Sequence, residues 1–127
     1  MCIRDRHQLT ENGRYKLRFD LQFLNHSWSF AEYSSFSVDS EAANYTLEIG
    51  GYWGNAGDAL SFHNGKMFTT YDRDNDVLSS ENCAVLLGGG FWYQKCGYCF
   101  VNRADGKWKE PSGEWHGLQS TRLWLTC

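Results

Sequence analysis

Residues 14–21 read Arg-Tyr-Lys-Leu-Arg-Phe-Asp-Leu and alternate strictly between polar and apolar side chains. Because successive side chains of a β-strand point to opposite faces, this pattern predicts a half-buried strand. Working outward, the other predicted elements are strands at 27–33, 36–38, 45–49, 67–71 and 122–125 and a short helical turn at 58–62. Strands dominate and no long helical pattern occurs, so the predicted fold class is α+β, mostly β.

Length and composition set the broad class of protein. The chain has 127 residues, of which 42% are hydrophobic and 21% charged. These values predict one globular domain and exclude wholesale disorder. Aromatic residues reach 17%, which favours a packed or carbohydrate-contacting β-rich domain, and the net charge of −3 disfavours a nucleic-acid-binding module. No apolar run is long enough to predict a transmembrane helix.

The five cysteines are Cys2, Cys83, Cys96, Cys99 and Cys127. The C-x-x-C pair at 96–99 could indicate a metal or redox site, but a zinc site would need two further ligands at suitable spacing. Disulfides are the favoured interpretation, and they place the protein in an oxidising compartment. Since five is odd, one thiol is left over, and Cys2 is the outlier.

Signals for secretion are mixed. Two N-glycosylation sequons begin at Asn25 and Asn44 and agree with a secreted protein. The charged start at residues 1–6 lacks the apolar run of a signal peptide. We therefore expect a fragment of a longer secreted, extracellular protein.

Residues 72–76 place carboxylates at alternate positions, at Asp72, Asp74 and Asp76. This spacing lets several oxygens converge on one hard cation, and calcium takes six to eight oxygen ligands. The loop is not an EF-hand, because Val77 and Cys83 stand where that loop needs Gly and Glu. Local pattern alone leaves two interpretations open, a calcium site and a solvated acidic turn.

Several motifs together resemble one known family. They are residues 31–36 (AEYSSF), 47–58 (LEIGGYWGNAGD), 62–76 (FHNGKMFTTYDRDND), 82–84 (NCA), 90–93 (GFWY) and Cys96. They are similar to the fibrinogen C-terminal (fibrinogen-related) domain, the family of ficolins, tachylectins, tenascin and angiopoietin tails and fibrinogen itself. The resemblance implies a twisted antiparallel sheet with a loop-rich calcium and pocket subdomain, incomplete at the N-terminus.

The resemblance also implies a division of the sequence. Residues 1–6 are unmatched and are interpreted as a non-native start, and residues 7–127 form a partial fibrinogen C-terminal domain. Within it, residues 7–65 are expected to form the sheet part and residues 66–127 the calcium loop and pocket part.

The family's calcium loop maps onto residues 72–80. The implied ligands are the side chains of Asp74 and Asp76 and the main-chain carbonyls of Leu78 and Ser80. This loop is one residue longer than the common form, which makes the Ser80 carbonyl the least secure ligand and Glu81 an alternative donor.

The resemblance implies a disulfide between Cys83 and Cys96 and a cis peptide at Lys95–Cys96. Cys99 and Cys127 are additions to the family pattern, and we predict that they pair. The family's ligand pocket would then lie beside the first disulfide. Its candidate residues are Leu87, Trp92, Tyr93, Lys95, Cys96, Gly97 and Trp115, although core packing is the favoured role of Trp92.

One departure bears directly on this pocket. The family usually has His after the second cysteine, and here Gly97 stands in that place. If the pocket is otherwise present, Gly97→His should strengthen acetyl binding. His63 lies inside the family's Phe-His-Asn-Gly turn and is interpreted as structural, and His116 is interpreted as a surface residue.

Two functions follow from the resemblance. The first is a secreted, calcium-binding, lectin-like module that recognises acetylated carbohydrate, and the alternative is an extracellular protein-interaction domain of matrix or growth-factor type. Oligomers are expected to form through upstream segments outside this sequence. An enzyme is not expected, because Cys99 and the four histidines form no catalytic motif or metal cluster.

Overall fold

Six β-strands and two short helices make up the computed structural model, which describes residues 3–10, 15–102, 105–110 and 112–126. In sequence order they are α1 (Ile3–Thr10), β1 (Tyr15–Phe23), β2 (Trp28–Val38), β3 (Leu47–Gly54), α2 (Cys83–Leu87), β4 (Cys99–Phe100), β5 (Lys107–Lys109) and β6 (Trp115–Thr126). Short 3₁₀ turns cover Glu41–Ala43 and Leu60–His63. No helix in these ranges is long and apolar enough to cross a lipid bilayer.

The strands form one antiparallel sheet in the order β3-β2-β1-β6-β5-β4. The alternation in β1 buries Leu17, Phe19 and Leu21 and leaves the intervening polar residues on the opposite face. In register, Leu17 lies opposite Tyr33 of β2 and Leu125 of β6. This curled, mostly β architecture confirms the predicted fold class.

The core lies between the inner face of the sheet and the loop-rich half of the protein. Trp108 of β5 is fully buried, packs 5.5 Å from the Phe19 ring, and its indole N–H donates to the Ala56 carbonyl at 3.0 Å. The Tyr33 hydroxyl donates to Asp58 at 2.8 Å, and its burial raises the phenol pKa well above the usual range. Buried polar groups that find partners across the sheet therefore hold the loops onto it.

The structure departs from the predicted element boundaries in three places. β6 lies in the middle of the sheet, although residues 66–127 were assigned to the loop and pocket part. The predicted strand at 67–71 is reduced to single bridges, from Thr69 to Phe91 and from Thr70 to Arg73. Residues 3–6, interpreted as a non-native start, belong to α1. The strand predicted at 122–125 is the end of β6, whose earlier part, from Trp115, was missed.

Candidate functional site

The carboxylate of Asp76 organises the acidic loop. Its Oδ1 accepts the N–H of Leu78 and its Oδ2 the N–H of Cys83, both at 2.8 Å. Asp74 Oδ1 accepts the N–H of Asp76 at 3.2 Å. Asn82, at the start of α2, accepts the N–H of Ala84 at 2.8 Å, as helix caps do. The loop is thus tied to α2 by side chains that also offer free lone pairs.

The donor chemistry of this loop fits a hard cation. A carboxylate oxygen that accepts one hydrogen bond retains a lone pair, so Asp74 and Asp76 can still coordinate. Within the described ranges, the carbonyls of Leu78 and Ser80 accept no hydrogen bond, and no group of three or more His, Cys, Asp or Glu side chains could hold a metal. A calcium ion would therefore rest on two carboxylates, main-chain carbonyls and water, which are all oxygen ligands.

A disulfide joins Cys83 at the start of α2 to Cys96, the pair that the resemblance implied. The N–H of Cys96 points to the Cys83 sulfur at 3.0 Å, and Cys96 adopts a left-handed φ of 55°. No cis peptide occurs in the described residues, so the expectation for Lys95–Cys96 was wrong. The backbone turns here through the left-handed conformation at Cys96, which few non-glycine residues adopt.

His63 clamps the two ends of this turn. Its Nδ1–H donates to the Trp92 carbonyl at 2.7 Å, and its Nε2 accepts the N–H of Tyr98 at 3.1 Å. Those two bonds require the neutral imidazole protonated at Nδ1, because Nε2 must be an acceptor. The side chain is fully buried, and its burial lowers the His63 pKa to about 4. His63 is structural, as interpreted, but its partners were not visible in the sequence.

The His63 ring lies directly against Gly97. A Cβ atom added at Gly97 would overlap the ring atoms Cε1 and Nε2. A side chain at position 97 fits only if the His63 ring moves, which argues against the predicted gain in acetyl binding on Gly97→His. Glycine is required at 97 for close approach rather than being a missing pocket residue.

The predicted pocket residues have separate roles. Tyr93 is buried and donates its hydroxyl to the Gly89 carbonyl at 2.6 Å, and the buried Trp92 donates to the Tyr45 carbonyl at 2.8 Å. Leu87 is half-buried at the end of α2, and Lys95 is exposed. Trp115 begins β6, far along the sequence from the disulfide turn. Core packing thus accounts for Trp92 and Tyr93.

Trp115 belongs instead to a row of stacked side chains. It stacks on Phe100 with the ring centroids 5.2 Å apart, and Tyr98 stacks on Phe62 at 3.8 Å. The Lys109 ammonium joins the two pairs, 4.1 Å from the Tyr98 ring and 5.5 Å from the Trp115 ring. We call these five residues the aromatic row. Sequence reasoning missed four of them, because only the paired strands β4, β5 and β6 bring them together.

His116 is next to Trp115 and is half-buried rather than a plain surface residue. Its Nε2 lies 3.2 Å from a Glu110 carboxylate oxygen, and its ring packs 5.4 Å from that of Phe23. These three side chains line a cleft of about 350 Å³ together with Asn25 and Trp115. The cleft is separate from the disulfide turn.

The face of the sheet opposite the core carries three exposed tryptophans. Trp53 is 66%, Trp124 49% and Trp28 46% exposed. In register, Trp53 lies opposite Glu32 of β2, and Trp124 lies opposite Arg18 of β1. With strands about 4.8 Å apart, Trp53 and Trp124 are separated by about 14 Å across four strands. We call the surface formed by Arg18, Asp20, Trp28, Phe30, Glu32, Trp53, Arg122 and Trp124 the outer sheet face.

Arginines lie between these aromatic rings. The Arg122 guanidinium lies 5.2 Å from the Trp28 ring centroid. Asp20 accepts both the Trp124 indole N–H at 2.7 Å and the Arg18 Nε–H at 2.9 Å. The network holds the rings in fixed orientations at the surface. A sequence signal for it did exist, since Trp28 and Trp124 occupy solvent-facing positions of alternating strands.

The predicted Cys99–Cys127 disulfide is not formed. Cys99 is a free, fully buried thiol whose pKa is raised by burial, and Cys127 lies outside the described residues. In the strand register, Cys99 lies opposite Trp108, and Trp108 lies opposite His116. Thr126 lies opposite Lys16, at the other end of β6.

The two sequon asparagines have different environments. Asn25 is exposed in the β1–β2 turn, where its Oδ1 accepts the Ser27 N–H and hydroxyl at 3.0 and 2.6 Å. Asn44 is half-buried and left-handed at φ 53°, and its side-chain amide contacts the Met67 sulfur at 3.3 Å. Asn25 is the more accessible acceptor of the two.

The protein is similar to several curated extracellular-type proteins. It is 42% identical to rat tenascin-R over 107 residues and 48% identical to mouse angiopoietin-related protein 2 over 88 residues. It is also 34% identical to bovine microfibril-associated glycoprotein 4 over 138 aligned positions. These matches cover 84%, 69% and 95% of this sequence but only 8%, 18% and 54% of the relatives, so it spans a part of each.

Solved structures agree with these relatives. The fibrinogen-like globe domain of human ANGPTL6 superposes with a TM-score of 0.87 at 33% identity, covering 97% of this protein and 61% of that one. Lamprey fibrin D-dimer, complexed with the peptide Gly-His-Arg-Pro-amide, gives a TM-score of 0.82 at 26% identity, covering 97% of this protein and 48% of that one.

The family model of the C-terminal globular domain of fibrinogen beta and gamma chains matches residues 3–125. The match begins four residues before the resemblance drawn from the sequence motifs. Fibrinogen-related domains are non-enzymatic recognition modules, as was expected for this domain. The protein belongs to the fibrinogen C-terminal domain family.

Proposed function

We propose that the protein is a secreted, extracellular protein-recognition module that binds its partner through the outer sheet face. One observation carries this proposal: three exposed tryptophans with interleaved arginines on a rigid sheet. Trp and Arg are the residues most enriched at the energetic centres of protein interfaces. Large exposed apolar patches commonly mark sites of interaction with other proteins.

The charges on this face favour a protein partner whose surface is partly apolar and carries a carboxylate. Arg18 is paired with Asp20 at 2.9 Å and lies 3.6 Å from Glu32, so its charge is locally balanced. Arg122 is exposed and stacked on Trp28, with planar donors available to a carboxylate of the partner. Preorganised rings reduce the ordering cost of binding. The cystine at Cys83–Cys96 supports an oxidising, extracellular location.

Recognition of acetylated carbohydrate is the second candidate. The aromatic row supports it, because Trp115 stays 42% exposed although it stacks on Phe100, and an exposed aromatic side chain can contact a sugar. The disulfide turn supports it less, since the His63 ring lies against Gly97 and the Cys96 N–H is directed at sulfur. The lectin-like interpretation therefore depends on the aromatic row alone.

We also propose that calcium stabilises the acidic loop, with Asp74 and Asp76 as carboxylate ligands. Its role would be structural, because the loop leads directly into α2 and the disulfide. We further propose that segments outside this sequence assemble the protein into oligomers, which would raise its avidity for the partner.

Binding to a decellularised extracellular matrix tests the main proposal. The double variant Trp53→Ser/Trp124→Ser should bind at least about tenfold more weakly than the parent protein, since a truncated hot-spot residue costs about 2 kcal/mol or more. Tyr71→Ser is the matched control, because Tyr71 is an exposed aromatic residue just before the acidic loop and outside the outer sheet face. Near-UV circular dichroism verifies that each variant is folded.

Two outcomes would contradict the outer-face proposal. One is equal matrix binding by the parent and the double variant. The other is that both the parent protein and the double variant are retained on an N-acetylglucosamine resin and are eluted by free sugar. Retention lost on Trp115→Ser would then assign the function to the aromatic row.

Thermal unfolding tests the calcium proposal. Asp74→Asn should lower the melting temperature in calcium and leave it unchanged in chelator, because a ligand at about 100 times its Kd stabilises by about 2.7 kcal/mol. Asp76→Asn is less informative, since Asp76 also accepts the N–H groups of Leu78 and Cys83. Asp72→Asn serves as the control outside the donor set, and equal losses with and without calcium would refute the assignment.

A further inference from the structure

A large cavity lies on the opposite, inner side of the sheet. A cavity of about 530 Å³ opens between β1 and β6 on one side and the loop-rich half on the other. This volume is within the range of small-molecule sites. Its apolar walls are Leu17, Phe19, Phe36, Phe91, Leu123 and Leu125. We call it the inner cavity.

The strand register gives the inner cavity an elongated apolar floor. Leu17 lies opposite Leu125 and Phe19 opposite Leu123, so the floor is two strands wide. From Thr121 to Leu125 it extends about 14 Å at about 3.4 Å per residue. Leu123 is 46% exposed, which shows that the floor reaches solvent. Its shape suits a linear hydrocarbon better than a folded or planar ligand.

One cation is held at an end of this floor. Arg6 of α1 lines the cavity, with its guanidinium carbon 5.9 Å from the centroid of the Trp92 ring. α1 is fixed there because His7 Nδ1 bonds the Val38 carbonyl at 2.8 Å and Thr10 accepts the Val38 N–H at 3.2 Å. Arg6 is therefore positioned by the contacts that its helix makes with the end of β2.

The Arg6 guanidinium has an unused donor. Its Nε is buried and has no hydrogen-bond partner. Burial also lowers the Arg6 pKa, which shows that the charge is poorly solvated. A buried donor without an acceptor is costly, and a carboxylate matches the guanidinium geometry. The site thus combines an unsatisfied donor on a cation with a linear apolar floor.

We propose that the inner cavity binds a single-chain fatty carboxylate, with its head on Arg6 and its hydrocarbon tail along β1 and β6. This site is independent of the outer sheet face, because the two lie on opposite sides of the same sheet. The ligand is an amphiphile with one anionic head, since only Arg6 among the lining residues of the cavity is charged.

Titration with octanoate, decanoate and decan-1-ol below their aggregation concentrations tests the proposal, read by calorimetry and by tryptophan fluorescence. Decanoate should bind with one-to-one stoichiometry and up to about fifteenfold more tightly than octanoate, since each of its two extra methylenes adds up to about fourfold. Arg6→Gln should weaken decanoate by at least about tenfold and leave decan-1-ol unchanged. Arg73→Gln, at an exposed arginine outside the cavity, is the control and should bind as the parent does.

A blocking variant places the hydrocarbon tail in the cavity. Thr121→Phe should fill the floor and abolish decanoate binding with an unchanged near-UV spectrum. The proposal is overturned if decanoate shows no saturable binding. It is also overturned if Arg6→Gln lowers the affinities for decanoate and decan-1-ol equally, or if Arg6→Gln leaves the affinity for decanoate unchanged. The Arg6→Gln comparison remains decisive where Thr121→Phe fails to fold.

Discussion

Substitution of Gly97 by alanine is the most direct test of the clamp formed by His63. The added Cβ would overlap the imidazole at Cε1 and Nε2. The ring cannot move aside without loss, because the Trp92 carbonyl and the Tyr98 N–H hold it at 2.7 and 3.1 Å. Either the disulfide turn shifts away from the core or the ring gives up its hydrogen bonds.

The size of the effect follows from those two routes. Overpacking a close-packed site costs about 1–3 kcal/mol. Leaving a buried donor or acceptor unpaired costs about 1–3 kcal/mol per group. We therefore expect Gly97→Ala to reduce the free energy of unfolding by about 2–4 kcal/mol. Gly97→His should be at least as destabilising, and it should not gain affinity for N-acetylglucosamine.

A double-mutant cycle separates this mechanism from a general need for glycine. His63→Ala alone should cost about 3 kcal/mol, since it leaves a cavity and two unpaired groups. In His63→Ala/Gly97→Ala the new methyl enters the vacated space, so the double variant should be about 1–3 kcal/mol more stable than the sum predicts. The assay is denaturant unfolding with the disulfide intact. Additivity within about 0.5 kcal/mol would refute the clamp.

Three further predictions concern buried groups. Folding lowers the His63 pKa from 6.5 to about 4, so the unfolded state binds more protons than the folded state between those pH values. The free energy of unfolding should therefore drop by about 1.4 kcal/mol per pH unit as the pH falls from 6.5 to 4. An identical slope in His63→Gln would contradict this. The Cys99 thiol is fully buried with a raised pKa, so alkylating reagents should label it only in denaturant. Rapid labelling of the folded protein would show that Cys99 is not buried in solution. Tyr33→Phe should cost about 2 kcal/mol, since the hydroxyl bonds Asp58 at 2.8 Å and the Leu60 N–H at 3.3 Å, and a loss below about 0.5 kcal/mol would show that those bonds are not formed in solution.

Local alternation was sufficient to predict the first half of the sheet. β1 and β2 have strict polar–apolar patterns, and both lie where the pattern predicted, with Leu17 and Phe19 facing the core. The start of β6 was missed, since Trp115 to Ser120 alternate poorly. Its place beside β1 could not be predicted, because the order of strands in a sheet depends on pairings between segments that are far apart in the sequence.

The candidate site was less predictable than the fold. The acidic loop follows from a local pattern of carboxylates, and the Cys83–Cys96 pair was implied by the family resemblance. The role of His63 depends on carbonyl and amide partners 29 and 35 residues away, and Gly97 could be explained only once that ring was placed. Residue types at a turn indicate chemistry, but only the tertiary contacts show whether space is left for a ligand.

The two faces of the sheet have different roles. Residues that face inward in β1 and β6 form the core and the inner cavity, so their substitution changes stability together with any ligand held there. Residues that face outward, such as Trp53 and Trp124, can change without loss of core packing, because the strands are held by their inner faces and backbone bonds. Binding specificity on the outer sheet face can therefore diverge between relatives while the fold is retained. That face presents three exposed tryptophans, of which Asp20 bonds Trp124, Arg122 lies over Trp28 and Phe30 packs on Trp53. A surface of this kind is expected where a partner is bound.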